Sequence, residues 1–338
     1  MFTNIPNIFV FLYSEKDFLM ILDIVLLIAG LALIVFGADI LVDGSSSIAR
    51  RSGVSEFVIG LTIVGMGTSA PEMVVSWVGA FQGNSDVAIG NILGSNIFNT
   101  MLILGVTAIL LPIGITESNR RRDIPLHFLV TVLVLALGLN ATLFRRGTDT
   151  LSLVDGIVML VLFAAYMWMS FRSQDKTMAA SDEKSRPIWL AVIMVLGGLA
   201  GLVFGGRLFV NHGVALAERL GVSDKFIAIT LLAGGTSLPE LATCVVAAAK
   251  KKGALALGNI IGSNIFNLLL ILGGSAVIHP ISFADLNFVD VGVLVLSAAA
   301  LWLSCLSPRR NKIGRVNGVF FVLIWISYMA YLVIDLYK

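Results

Sequence analysis

Two acids stand where acids are rare. Glu72 and Glu240 each lie in a long apolar run, at the end of matching hexapeptides, Gly67-Thr68-Ser69-Ala70-Pro71-Glu72 and Gly235-Thr236-Ser237-Leu238-Pro239-Glu240. Thr68 and Glu72, like Thr236 and Glu240, are four residues apart and share a helix face. Proline lacks an amide hydrogen and crowds the carbonyl four residues back, so Pro71 and Pro239 are expected to free the carbonyls of Gly67 and Gly235. Carboxylate, hydroxyl and carbonyl oxygens together suit hard cations such as Ca2+ and Na+. A second matched pair of segments, Gly90-Asn91-Ile92-Leu93-Gly94-Ser95-Asn96-Ile97-Phe98-Asn99 and Gly258-Asn259-Ile260-Ile261-Gly262-Ser263-Asn264-Ile265-Phe266-Asn267, adds neutral oxygen ligands. Ser95 shares a face with Asn99, and Ser263 with Asn267. Asn91, Asn96, Asn259 and Asn264 fall on other faces and are read as hydrogen-bonding between helices. The plain alternative for the two acids is protonation or pairing with a base, but no Lys or Arg lies in either surrounding apolar run.

The elements that must position these groups are membrane helices. The chain has 338 residues, 57% of them hydrophobic and only 13% charged, with a mean hydropathy of +0.95. Soluble domains carry about 25% charged residues. Segmentation at charged and Gly/Pro-rich breaks predicts ten spans at 20–48, 57–81, 87–111, 124–143, 151–171, 188–217, 226–249, 254–278, 286–306 and 316–336. An acid at the centre of such a helix costs about 2.5–3.5 kcal/mol on the mildest scale, so two at matched depth mark a functional site.

Residues 60–105 match residues 228–273 without a gap, and every matched pair is 168 apart: 72 with 240, 95 with 263, 99 with 267. Five spans separate each residue from its mate, and five is odd, so mates cross the bilayer in opposite directions. The expected fold is therefore an all-α membrane protein of ten transmembrane helices, arranged as two inverted five-helix repeats with broken helices at the ion site. Residues 1–19 form an N-terminal extension, 20–172 the first repeat, 173–187 a cytoplasmic linker and 188–338 the second repeat. Small residues in the repeat could serve packing alone, which suits Gly30, Gly197, Gly198 and Gly201 but not the matched polar and acidic positions.

Sixteen Lys and Arg fall in the loops after odd-numbered spans, at 50, 51, 120–122, 172, 176, 184, 186, 250–252, 309, 310, 312 and 315. Six lie on the other side, at 16, 145, 146, 219, 225 and 338. Positive charge marks the cytoplasmic side, so both termini are expected outside. The net charge of +2 then reflects topology and calls for no nucleic-acid partner. Cys244 and Cys305 lie inside spans without metal or disulfide spacing and are read as packing residues. Asp39 and Asp43 near the end of span one have the counterparts Arg207 and Asn211, so the repeat does not preserve them. They are read as interfacial or packing groups, with an entry funnel as the alternative.

The paired GTS-x-PE and GN-x-x-GSNIFN elements resemble the alpha-repeats of the cation/Ca2+ exchanger superfamily, in particular its prokaryotic Na+/Ca2+ exchangers. The resemblance implies a secondary antiporter in the inner (cytoplasmic) cell membrane that exchanges Ca2+ for Na+ by alternating access at a shared midplane site. It further implies Ca2+ coordination by Glu72 and Glu240 with backbone oxygens of Thr68 and Thr236. Na+ sites would add Ser69, Ser237, Ser95, Ser263 and the carbonyls of Gly65 and Ala233, and Asn99 and Asn267 complete the candidate set. Spans one and six would be the helices that slide during gating. Some members carry Asp where this chain has Asn267, so the site holds two acids and not three, and K+ dependence or H+ coupling stays open. No organic cofactor is expected, and the lipid-embedded monomer is expected to be the working unit. A passive channel fits one acidic pair in an inverted repeat poorly. An enzyme fits worse, because His127, His212 and His279 are scattered and no HExxH motif occurs.

Overall fold

The computed structural model describes residues 15–145, 147–172, 186–222, 227, 233–284, 286–306 and 311–336. Most of the expected extension and linker, and residues 226 and 228–232 at the start of the expected seventh span, lie outside this description. The chain is helical. Its helices are α1 (Glu15–Ser52), the bent pair α2 (Glu56–Thr68) and α3 (Ala70–Phe81), α4 (Ser85–Leu110), α5 (Ile124–Gly138), the short α6 (Asn140–Phe144) and α7 (Leu153–Arg172). The second half holds α8 (Ile188–Arg219), the turn α9 (Ala233–Gly235), α10 (Leu238–Ala249), α11 (Gly253–Ile278), α12 (Phe288–Cys305) and α13 (Arg315–Leu336). Among the described residues seven helices are long and apolar enough to cross a membrane, and the α2–α3 pair makes an eighth. Expected spans four and seven correspond to shorter pieces: α5, which ends at a break at Leu139, and α10.

Burial separates the helices by role. The apolar window of α11 is 94% buried inside the protein and that of α4 is 72%, against 17% for α1. Exposed Phe18, Val25 and Phe36 on α1, with Trp189 and Phe204 on α8, give these peripheral helices the apolar outer surface that lipid requires. Between them α1 and α8 make a seam in which Asp23 meets His212, Gly30 meets Gly205, Gly37 meets Gly198 and Gly44 meets Ala191. One number rises as the other falls, so the helices run antiparallel. At Gly37 an added Cβ would stand 2.8 Å from the Leu202 amide nitrogen and 2.9 Å from the Gly198 carbonyl, so only glycine permits this approach.

The seam pairs each glycine with the other's repeat mate, and the same reciprocity recurs across the molecule. Strand β1 (Ile113–Gly114) pairs with β4 (Lys312–Ile313), and β2 (Thr150–Leu151) with β3 (Ile281–Ser282). Phe98 stacks edge-on against Trp325 at 5.9 Å, and its mate Phe266 against Phe163 at 5.8 Å. Gly105 abuts Gly318, and its mate Gly273 abuts Gly156. These contacts bring positions 151 and 313, 156 and 318, and 163 and 325 into correspondence, an offset of 162 in place of 168. The correspondence therefore reaches the last helix of each half, α7 and α13.

Candidate cation site

The apolar runs bearing the acids break where the prolines predict. α2 and α3 meet at 50°, and Ser69 between them has φ −83° and ψ 9°. Its mate Ser237, between α9 and α10, has φ −92° and ψ 7°. Pro71 and Pro239 sit in the first turn of the following helices, where a missing N–H removes no ladder bond. The facing helices are altered at matching places too: α4 widens into a π-helical turn at Phe98–Ile103 and α11 at Phe266–Ile271, each carrying one of the candidate asparagines. Such widened turns recur at functional sites.

These breaks interlock the halves. Ser69 Oγ donates to Glu240 Oε1 at 2.8 Å, and Ser237 Oγ donates to Glu72 Oε1 at 2.9 Å, so each acid is held by the serine of the opposite motif. Ser95 Oγ lies 3.5 Å from Glu72 Oε1 and 3.2 Å from Ser237 Oγ. Ser263 Oγ donates to the Gly65 carbonyl at 3.3 Å. Asn99 Nδ2 donates to Asn264 Oδ1 and Asn267 Nδ2 to Asn96 Oδ1, both at 3.1 Å. Thr68 turns its hydroxyl to Asn259 Oδ1 at 3.2 Å, away from the acid four residues on, so shared helix spacing is not what brings hydroxyl and carboxylate together. Thr236 Oγ1 is buried without a partner, and Ala233 opens the short α9.

The asparagines read as structural behave so. Asn91 Nδ2 donates to the Glu72 carbonyl and to Ser76 Oγ, and its mate Asn259 donates to Cys244 Sγ, the residue at the position matching Ser76. Asn96 and Asn264 tether the site asparagines.

Both acids are fully buried, and among the described residues neither forms an ion pair. Four carboxylate and amide oxygens remain without any hydrogen-bond donor: Glu72 Oε2, Glu240 Oε2, Asn99 Oδ1 and Asn267 Oδ1. Buried unsatisfied acceptors are rare, and each needs an explanation. Two mated carboxylates and two mated amide oxygens, with the amide nitrogens committed elsewhere, form a donor set suited to Na+ or Ca2+. Among the described residues no sulfur or imidazole joins them in a metal-holding group, and soft or borderline metals such as zinc and copper favour those ligands.

A cavity of about 440 Å³ approaches the breaks, lined by Ala70, Pro71, Arg207, Asn211, Thr236 and Pro239 among others. The mates of Arg207 and Asn211 are in a different setting. Asp39 and Asp43, read as interfacial or packing groups, receive Lys250 Nζ at 2.8 and 2.7 Å. Burial opposes the Lys250 charge, yet the hydrogen bonds it donates to Asp39 and Asp43 hold its ammonium above the usual lysine range. Asp290 accepts from Tyr328 at 2.8 Å and lines a second cavity of about 430 Å³.

The model of the family described as sodium/calcium exchanger protein matches residues 22–172 and 190–334. The putative antiporter CaxA of Alkalimonas amylolytica is 38% identical over 316 residues, covering 92% of this chain and 98% of the relative. The sodium/calcium exchanger MaX1 of Methanosarcina acetivorans is 32% identical over 345 residues, with 92% and 98% covered. Among solved structures, the sodium-calcium exchanger NCX_Mj superposes with a TM-score of 0.79 at 33% identity, covering 92% of this chain and 99% of that one.

Proposed function

Since this chain belongs to the sodium/calcium exchanger family, a group of multi-pass membrane antiporters, we propose that it exchanges Ca2+ for Na+ by alternating access at one shared site between Glu72 and Glu240. The observation that carries this reading is the set of four donorless carboxylate and amide oxygens, two from each half, all on fully buried residues, with no ion pair to either acid among the described residues. Carboxylates buried with a net charge of −2 are costly. One Ca2+ or several Na+ would neutralise them, and the bare site would resist closure, so the transporter switches faces only when loaded. Ser69, Ser237, Ser95, Ser263, the Gly65 and Ala233 carbonyls and the backbone oxygens of Thr68 and Thr236 complete the ligand set. The two ions exclude each other because they need the same oxygens.

The architecture of the proposal is ten spans in two inverted five-helix repeats, with both termini outside the cell membrane. Support comes from the antiparallel α1–α8 seam, from the reciprocal contacts of repeat mates and from the one-sided distribution of Lys and Arg. The close glycine seam holds α1 and α8 together as one pair, and in the proposal that pair slides against the core. On this orientation the Asp39–Asp43–Lys250 cluster closes the cytoplasmic side and the cavity beside Arg207 opens outward.

The test is 45Ca2+ uptake into proteoliposomes with Na+, K+ and pH gradients imposed one at a time. The proposal expects uptake driven by an opposing Na+ gradient alone. Uptake that requires K+, or that follows the pH gradient and ignores Na+, would replace Na+ as the sole coupling ion. Flux without any counter-ion would point to a channel.

A further inference from the structure

The two site asparagines are oriented by different means. Asn267 Nδ2 donates to Asn96 Oδ1, and Asn96 Nδ2 in turn donates to the backbone carbonyl of Asn264 at 3.4 Å. A main-chain carbonyl only accepts, so that relay can run in one direction alone. Asn99 Nδ2 donates to Asn264 Oδ1, but Asn264 Nδ2 then relies on two side chains, Thr100 Oγ1 at 2.7 Å and His127 Nε2 at 3.2 Å. The repeat does not supply this support twice, since the residue matching Thr100 is Leu268.

His127 stands on α5, 1% exposed, outside every matched motif. Resting on the reading of Asn99 as a ligand, we propose that His127 is a positioning residue for the cation site, its Nε2 terminating the amide relay that turns Asn99 Oδ1 inward. An amide has two N–H groups, and Thr100 accepts only one of them here. The hydroxyl of Thr100 can donate as well as accept, so it tolerates either orientation of Asn264. An imidazole that presents the Nε2 lone pair, with its proton on Nδ1, does not. If Asn264 flipped, its NH2 would face the NH2 of Asn99; Asn99 would then turn over and aim nitrogen at the cation.

The experiment measures the Ca2+ concentration for half-maximal Na+-driven 45Ca2+ uptake by the full chain in proteoliposomes. His127→Phe and His127→Met remove the acceptor with two different shapes, and each should raise that concentration about 5-fold while leaving the maximal rate within about twofold. His127→Gln supplies an amide oxygen and should stay within about twofold of the parent. An unchanged half-maximal concentration in the Phe and Met variants, or a Gln variant as impaired as they are, overturns the proposal. Asn99→Ala separates the two readings. If it leaves Ca2+ affinity intact, the assignment of Asn99 as a ligand fails; if it weakens affinity while His127→Phe and His127→Met do not, only the positioning role fails.

Discussion

Positions 39 and 43 in the first half and 207 and 211 in the second are the same places in the repeat, yet they face opposite circumstances. Asp39 and Asp43 are clamped by Lys250, with Lys252 and Arg186 each 3.9 Å from Asp43. Arg207 and Asn211 line an open cavity. The lysine itself has no counterpart, because the residue matching Lys250 is Gln82. By contrast, Ser69 and Ser237, the two acids they hold, and Asn99 and Asn267 are matched in identity and nearly matched in distance. The molecule thus keeps its internal symmetry at the candidate site and breaks it at the Asp39–Asp43–Lys250 cluster. On the proposed mechanism, sidedness would rest on a few charged residues, while both halves would contribute to the site.

The largest effect should come from the symmetric centre. Glu72→Gln and Glu240→Gln should each lower Na+-driven Ca2+ uptake at least about 100-fold, since losing one charge from a buried charged set costs several kcal/mol. Unequal losses, with one variant near wild type, would break the equivalence of the halves. Gly37→Val comes next. Its side chain meets backbone atoms under 3 Å away, so transport should fall by about 10-fold or more, while equilibrium Ca2+ binding is retained. Ser69→Ala and Ser237→Ala each remove a hydroxyl donor from the opposite acid and should weaken apparent Ca2+ affinity by a similar factor, roughly 10-fold. The smallest effect tests the broken symmetry. In a Cys305→Ala background, Lys250→Met should speed maleimide labelling of buried Cys244 about 5-fold, in line with a partly exposed ion-pair cluster. Labelling unchanged by Lys250→Met would remove the lysine from the closure.

Much of this was legible because the binding elements tolerate little change. The GTS-x-PE and GN-x-x-GSNIFN segments fix the break, the acids and the interhelical asparagines, and the long apolar runs locate most helices. The crossing of Ser69 to Glu240 and Ser237 to Glu72 was not legible, since reading one helix at a time pairs Thr68 with Glu72 by spacing. The register that relates α7 to α13 was hidden as well. Lipid-facing helices need only be apolar, so their sequences diverge while a few close contacts, such as Gly156 with Gly273 and Gly105 with Gly318, keep the register. His127 was passed over because a lone histidine in an apolar helix has no pattern to mark it, and only the relay through Asn264 gives it a place.

The central claim, one cation site shared by both halves and by both ions, is tested most directly by equilibrium 45Ca2+ binding to the purified protein across a Na+ titration. The account predicts saturable Ca2+ binding that Na+ displaces completely, with displacement steeper than one-for-one, and that disappears in both Glu72→Gln and Glu240→Gln. Ca2+ binding that persists at saturating Na+, or that survives in either variant, would contradict it.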